Sequence, residues 1–195
     1  MRRRFVVVLI ALILIPAGLA AAPFFQLGPL VSYNRTVVEM ENTDDMWGIN
    51  NFSFGADVRI NPLKYLSIDI PATLGFGSKG SVSIAAIPTV NVNIPIGGIL
   101  DIAVGAGTQF DFQYAGGDSK IWTMNGLPME SAGDAFQHSK LVYRLGLTVN
   151  LGFLSVGANA LLPGQAGFGD GDIGGIFNPM WESTRFSVVA LFNIG

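Results

Sequence analysis

Along most of this chain, apolar residues take turns with polar or small ones. Leu66, Ile68, Ile70, Ala72, Leu74 and Phe76 fall on one side of an extended backbone, with Ser67, Asp69, Pro71, Thr73 and Gly75 on the other. A period of two predicts a strand with unlike faces. From Leu100 to Phe112 the pattern repeats, with Asp101, Gln109 and Asp111 on the polar side. It returns at 82–94 and again at 141–150, where Arg144, Gly146, Thr148 and Asn150 alternate with Tyr143, Leu145, Leu147 and Val149. Fainter versions at 24–37, 50–60, 153–162 and 184–194 bring the predicted strands to eight.

The links between these segments form a second pattern. Asn61-Pro62-Leu63-Lys64, Pro95-Ile96-Gly97-Gly98 and Leu151-Gly152 are short and made of residues that turn easily. The others, at 39–49, 77–80, 113–139 and 163–183, are mostly long and rich in Gly, Asp, Asn or Ser. Short and long links in alternation predict an antiparallel up-and-down meander with tight turns at one end and loops at the other. Aromatic placement agrees. With the first strand rising, Tyr33, Phe52, Phe76, Phe110, Tyr143 and Phe186 fall toward the loop end, and Phe25, Tyr65, Phe153 and Phe192 toward the turn end.

Composition decides which face is wet. The chain of 195 residues is 50% hydrophobic and only 13% charged, with a mean hydropathy of +0.47. A soluble calyx turns its charges outward. Here the polar faces carry only Asp57, Arg59, Asp69, Asp101, Asp111 and Arg144 among many Gly, Ser, Thr and Asn. That is too sparse for a solvated exterior and suits a narrow interior where charges must pair. The expectation is an all-β fold: a transmembrane antiparallel barrel of about eight strands, apolar side to lipid, with short periplasmic turns and long extracellular loops. Its expected lumen network is Asp57, Arg59, Asp69, Asp101, Gln109, Asp111 and Arg144. Within it, Arg59 is expected to bridge Asp57 and Asp69, and Arg144 to face Gln109 or Asp111. A barrel this narrow is filled by its own side chains, which argues against a general pore.

The first 22 residues fit export. Arg2-Arg3-Arg4 precedes the apolar run Phe5 to Ile15 and then Pro16-Ala17-Gly18-Leu19-Ala20, the three-part pattern of a signal peptide with cleavage near residue 20. Residues 23–195 are then the barrel. With no cysteine, a disulfide framework is excluded. A net charge of −3 points to no nucleic-acid partner. The expected partners are outer-membrane lipid and an extracellular ligand met through loops 113–139 and 163–183.

The leader, the alternation and the loop order resemble the small eight-stranded outer-membrane barrel proteins of bacteria, the group holding the membrane domain of outer-membrane protein A and outer-membrane proteins X and W. The resemblance implies a membrane anchor with variable surface loops, or a narrow conduit for small or hydrophobic molecules. Such proteins often end on an alternating strand with a terminal aromatic that the barrel-assembly machinery reads during biogenesis, so the resemblance implies that machinery as a further partner. Here Phe186, Val188, Ala190, Phe192 and Ile194 alternate, but Gly195 is last.

Catalytic and cofactor readings are weak. Gly75-Phe-Gly77-Ser-Lys-Gly80 and Gly169-Asp-Gly171-Asp-Ile-Gly174 match a dinucleotide fingerprint, but a strand follows the first and a loop holds the second. His138-Ser139 would face opposite ways on a strand, against a lipid-modifying enzyme. The Asp170-Gly171-Asp172 tract with Asp118 lacks calcium-loop spacing. No cofactor is expected.

Overall fold

In the computed structural model, residues 23–41, 46–76, 81–114, 122–124, 127–128 and 131–194 are described. The leader, Gly195, Asp118 and the 77–80 link lie outside them.

Eleven strands form one sheet: β1 (Phe25–Tyr33), β2 (Phe52–Leu63), β3 (Leu66–Phe76), β4 (Val82–Ala86), β5 (Thr89–Ile96), β6 (Leu100–Tyr114), β7 (Trp122–Met124), β8 (Leu127–Pro128), β9 (Lys140–Asn150), β10 (Leu154–Gly167) and β11 (Arg185–Ile194). β4 and β5 are two halves of one wall position, each pairing with β3 and β6 on either side. The wall therefore runs β1, β2, β3, β4/β5, β6, β9, β10, β11, and β11 pairs back onto β1 from Phe25↔Ile194 to Tyr33↔Phe186. The result is a closed ring of eight antiparallel wall positions, with no open edge. β7 and β8 are a small hairpin that extends β6 above the wall.

The predicted segments hold with adjustments, the first being that β2 runs on through Asn61-Pro62-Leu63, so its turn is at Lys64-Tyr65 and not at 61–64. The first strand stops at Tyr33, and Asn34 to Glu41 belongs to a loop. The 82–94 segment breaks at Ile87-Pro88, where proline has no N–H to give a ladder. There the wall is kept by Ile87 N donating to Pro71 O at 3.0 Å and Thr108 N to Pro88 O at 3.1 Å. β6 and β10 run past the predicted loop boundaries, to Tyr114 and Gly167. The 113–139 and 163–183 links also contain structure, including helices Ala132–His138 and Ile173–Phe177.

The tight turns form where the backbone can reverse. Gly97 and Gly98 take φ of 63° and 73°, and Gly152 takes 85°, a region open to glycine. Within the wall, Gly55 allows close approach: a Cβ there would sit 1.8 Å from the Ala72 carbonyl oxygen. Strand lengths of 9–15 residues in the uninterrupted wall strands meet the ~9–11 residues that a tilted strand needs to cross a bilayer.

The burial pattern is inverted relative to a soluble domain. Val92, Ile94, Val104, Leu145 and Val188 are each more than half exposed, whereas Asp57, Asp69, Asn91 and Ser155 are 0% exposed. A band of apolar side chains around the whole wall is what a hydrocarbon environment stabilises, and water would not. The buried apolar cluster is small: Leu30, Val189 and Leu191, all inside the lumen on β1 and β11.

Candidate functional site: the lumen

Every second residue of the wall points into the lumen, where the polar residues fall into three tiers. In the middle tier, β2 supplies Asp57 and Arg59, β3 supplies Asp69, and β9 supplies Arg144. Arg59 Nε donates to Asp69 Oδ1 at 2.9 Å. Arg144 Nη1 pairs with Asp69 Oδ2, and Arg144 Nη2 lies 3.8 Å from Asp57 Oδ2. β9 stands four wall positions from β2, on the opposite side of the ring, so Arg144 crosses the barrel's diameter. Its remaining donors reach Thr89 Oγ1 at 3.3 Å and Asn159 Oδ1 at 3.2 and 2.9 Å. Arg59 reaches the other way, to Thr148 Oγ1 at 3.4 Å.

Two arginines and two aspartates thus neutralise one another across the lumen, with Asp57, Asp69 and Arg144 at most 2% exposed. An ion pair out of water is tolerated only when its partners are held in good geometry with further hydrogen bonds. Arg144 has that support. Asp57 has less, since neither of its carboxylate oxygens accepts a hydrogen bond.

The turn-end tier is built of amides. Gln26 Nε2 donates to Ser155 Oγ at 3.2 Å and Asn193 Oδ1 at 2.5 Å. Asn61 Nδ2 donates to Gln26 Oε1 at 3.3 Å. Asn150 Nδ2 donates to Asp101 Oδ2 at 2.5 Å, and Ser155 Oγ to Asn150 Oδ1 at 2.7 Å.

The loop-end tier is open space. A cavity of about 450 Å³ lies there, lined in part by Gln109 and Asp111 of β6, Lys140 of β9 and Arg185 of β11. Asp111 Oδ2 is 3.9 Å from Arg185 Nη1, and Lys140 Nζ donates to the Gln165 carbonyl at 3.4 Å.

The seven residues expected as one network are therefore distributed over three levels. Asp57, Arg59, Asp69 and Arg144 meet. Asp101 is at the turn end, and Gln109 and Asp111 are at the loop end. Two expected pairings need correction. Arg59 sits directly opposite Asp69, and Asp57 opposite Pro71, so the cation between the two aspartates is Arg144. Arg144 pairs in register with Gly105, while Gln109 faces Lys140. Asp111 is six residues from Gly105 along β6, about 20 Å. The physical reason is that a long loop joins β6 to β9 and imposes no register. The pairing is instead set from the turn end, where Leu100 meets Val149. Gln26, Asn159 and Arg185 also face the lumen and were not among the expected network. Their inward positions in weakly alternating strands were the only available signal.

The mouth is dressed by loop structure. Ser131 caps helix Ala132–His138, accepting from Asp134 N at 3.2 Å while its own N donates to Asp134 Oδ2 at 2.9 Å. Ser139 Oγ donates to Phe136 O at 2.6 Å, so the hydroxyl closes the other end of that helix. Phe136 stacks on Phe168 with centroids 5.2 Å apart. Asp170 accepts from Gly167 N at 2.6 Å and Asp172 from Gly175 N at 3.0 Å, which makes both turn-forming residues. Among the described residues no three His, Cys, Asp or Glu gather as a metal site. On the β1–β2 loop the Thr36 backbone N–H, at 2.7 Å, and its hydroxyl, at 3.0 Å, hold the Glu39 carboxyl below the usual carboxylate range.

No protein-family model matches the chain, and no curated protein does. Among solved structures it is similar to Neisserial surface protein A, at 10% identity and a TM-score of 0.48, over 90% of this chain and 100% of that one. The barrel assignment stands on the strand pairing and burial of the chain itself.

Proposed function

We propose that this protein is an outer-membrane barrel whose wall anchors it in the membrane, its long loops forming an extracellular interaction face. The observation that carries this reading is the inverted wall: apolar side chains outward on all sides, ion pairs inward. In this reading residues 1–22 are an export leader, the short turns are periplasmic, and the assembly machinery inserts the barrel. The resemblance of leader, alternation and loop order to outer-membrane proteins A, X and W supports it. A conduit is the weaker alternative, because Arg144 lies across the lumen at mid-height and Arg59 reaches back toward β9. The test is fractionation with a gel-mobility assay. The protein should enter the outer-membrane fraction and run as a heat-modifiable, β-rich species that forms only with detergent or lipid. A monomer that folds and stays soluble in plain buffer would overturn the proposal. In planar bilayers the wild-type barrel should give no steady conductance, and sustained channels would favour the conduit.

A further inference from the structure

Toward the loop end, beyond the arginine tier, the lumen is a cup whose wall has a particular chemistry. Ser32, Ser53, Thr73, Ser83 and Ser187 bring short hydroxyls to it from β1, β2, β3, β4 and β11. Gln109 and Gln113 add amides from β6. Among the described residues, the side chains of Ser32, Thr73, Ser83 and Gln113 make no hydrogen bond within the protein. Between these groups lie apolar patches from Leu30, Ile87, Leu161 and Met180. Charge is sparse and not convergent: Asp111 faces Arg185 across 3.9 Å, and the Lys140 ammonium turns to a backbone carbonyl.

We propose that this cup is a binding site for a neutral polyhydroxylated solute of mono- to disaccharide size. The volume of about 450 Å³ falls within the ~300–1,000 Å³ of small-molecule sites. Each sugar hydroxyl both donates and accepts, as do serine, threonine and glutamine side chains, so a ring of them satisfies such a solute from several strands at once. The C–H faces of the sugar ring find Leu30, Ile87, Leu161 and Met180. An apolar ligand would strand the wall's hydroxyls without partners, which is costly once water is excluded. A phosphate or sulfate would call for cations aimed at one point, whereas Arg185 lies beside Asp111 and Lys140 donates to a backbone carbonyl. The inference concerns the lumen alone, so it stands or falls independently of which membrane holds the barrel and of what the loops meet.

The experiment is calorimetric titration of the protein folded in lauryldimethylamine oxide, a detergent without a sugar headgroup. The probes are methyl α-glucoside, N-acetylglucosamine and maltose, with sodium sulfate as the anionic comparison. At least one sugar should bind saturably with a Kd of about 1 mM or tighter. Ala85→Leu fills the cup, and the gentler pair Thr73→Val with Ser83→Ala removes two hydroxyls at nearly constant shape. Each should weaken binding about tenfold or more while keeping heat-modifiable mobility. If Ala85→Leu fails to fold, the hydroxyl pair decides. The proposal is overturned if none of the three sugars binds with a Kd of about 1 mM or tighter. Saturation by sulfate alone, or sugar binding that both variants leave unchanged, would also overturn it.

Discussion

The middle and the mouth of this barrel are built from the same kind of strand, yet they solve opposite problems. At mid-height Asp57, Arg59, Asp69 and Arg144 fill the lumen, and each cation is held by partners on other strands. A few residues higher, serines and threonines replace them and leave a cavity. Side-chain length accounts for the difference, because the ring of eight is narrow enough for an arginine to span and too wide for a serine. What spans the lumen at mid-height and what leaves the cup open therefore depend on a few positions in an otherwise uniform wall.

Breaking the middle should have the largest effect. Arg144→Ala leaves Asp57 and Asp69 buried without their shared cation, and losing one partner of a buried pair costs about 3–5 kcal/mol. Denaturant unfolding of the detergent-folded barrel should show that loss, and bilayer recordings should show conductance that the wild type lacks. Arg144→Lys should restore little, since an ammonium cannot engage Asp69, Asn159 and Thr89 together. An unchanged unfolding midpoint in Arg144→Ala would mean that the plug contributes nothing to stability.

The wall itself should rank next. At Gly55 an added methyl would press on the Ala72 carbonyl, and crowding of this kind costs about 1–3 kcal/mol. Gly55→Ala should lower the unfolding midpoint without opening a channel, which separates wall strain from plug loss.

At the mouth, changes should be small and local. Ser131→Ala removes half of a capping box, a loss of about 1 kcal/mol. It should appear as faster proteolysis near helix Ala132–His138, with the barrel's heat-modifiability intact. Thr73→Val, in the cup, should change stability by no more than about 0.5 kcal/mol. A large destabilisation there would erase the contrast between tiers. Acidification should give the smallest effect. Because the Glu39 carboxyl is held below its ordinary value in the folded loop, its contribution is present above the unfolded carboxylate pKa and is lost as pH falls through the lower folded value. Protection of the Thr36 amide, its exchange measured against that of an unstructured peptide at the same pH, should fall over that acidic range and stay constant near neutrality.

How much of this was legible beforehand differs along the chain. Leu66 to Phe76 and Leu100 to Phe112 declare their faces because alternation needs no partner to be seen. The break at Ile87-Pro88 was hidden inside an alternating run, although the proline was there to be read. Ser139 and Asp172 look like chemistry in isolation and prove to close helix ends.

The local pattern of residues fixes where the strands lie, which of their faces is polar and the end at which the long loops lie, because a period of two and the residues of tight turns are local properties. It also determined that charges on the polar faces would need partners. Which partners those charges find depends on the closed ring. Asp57 and Arg144 are far apart in sequence and on opposite walls, and they meet because β11 closes onto β1 and fixes the height of every strand against the others. Register across a 25-residue connection carries no local signal, and one residue of slip would turn Arg144 out of the lumen. The plug and the cup above it are therefore properties of closure.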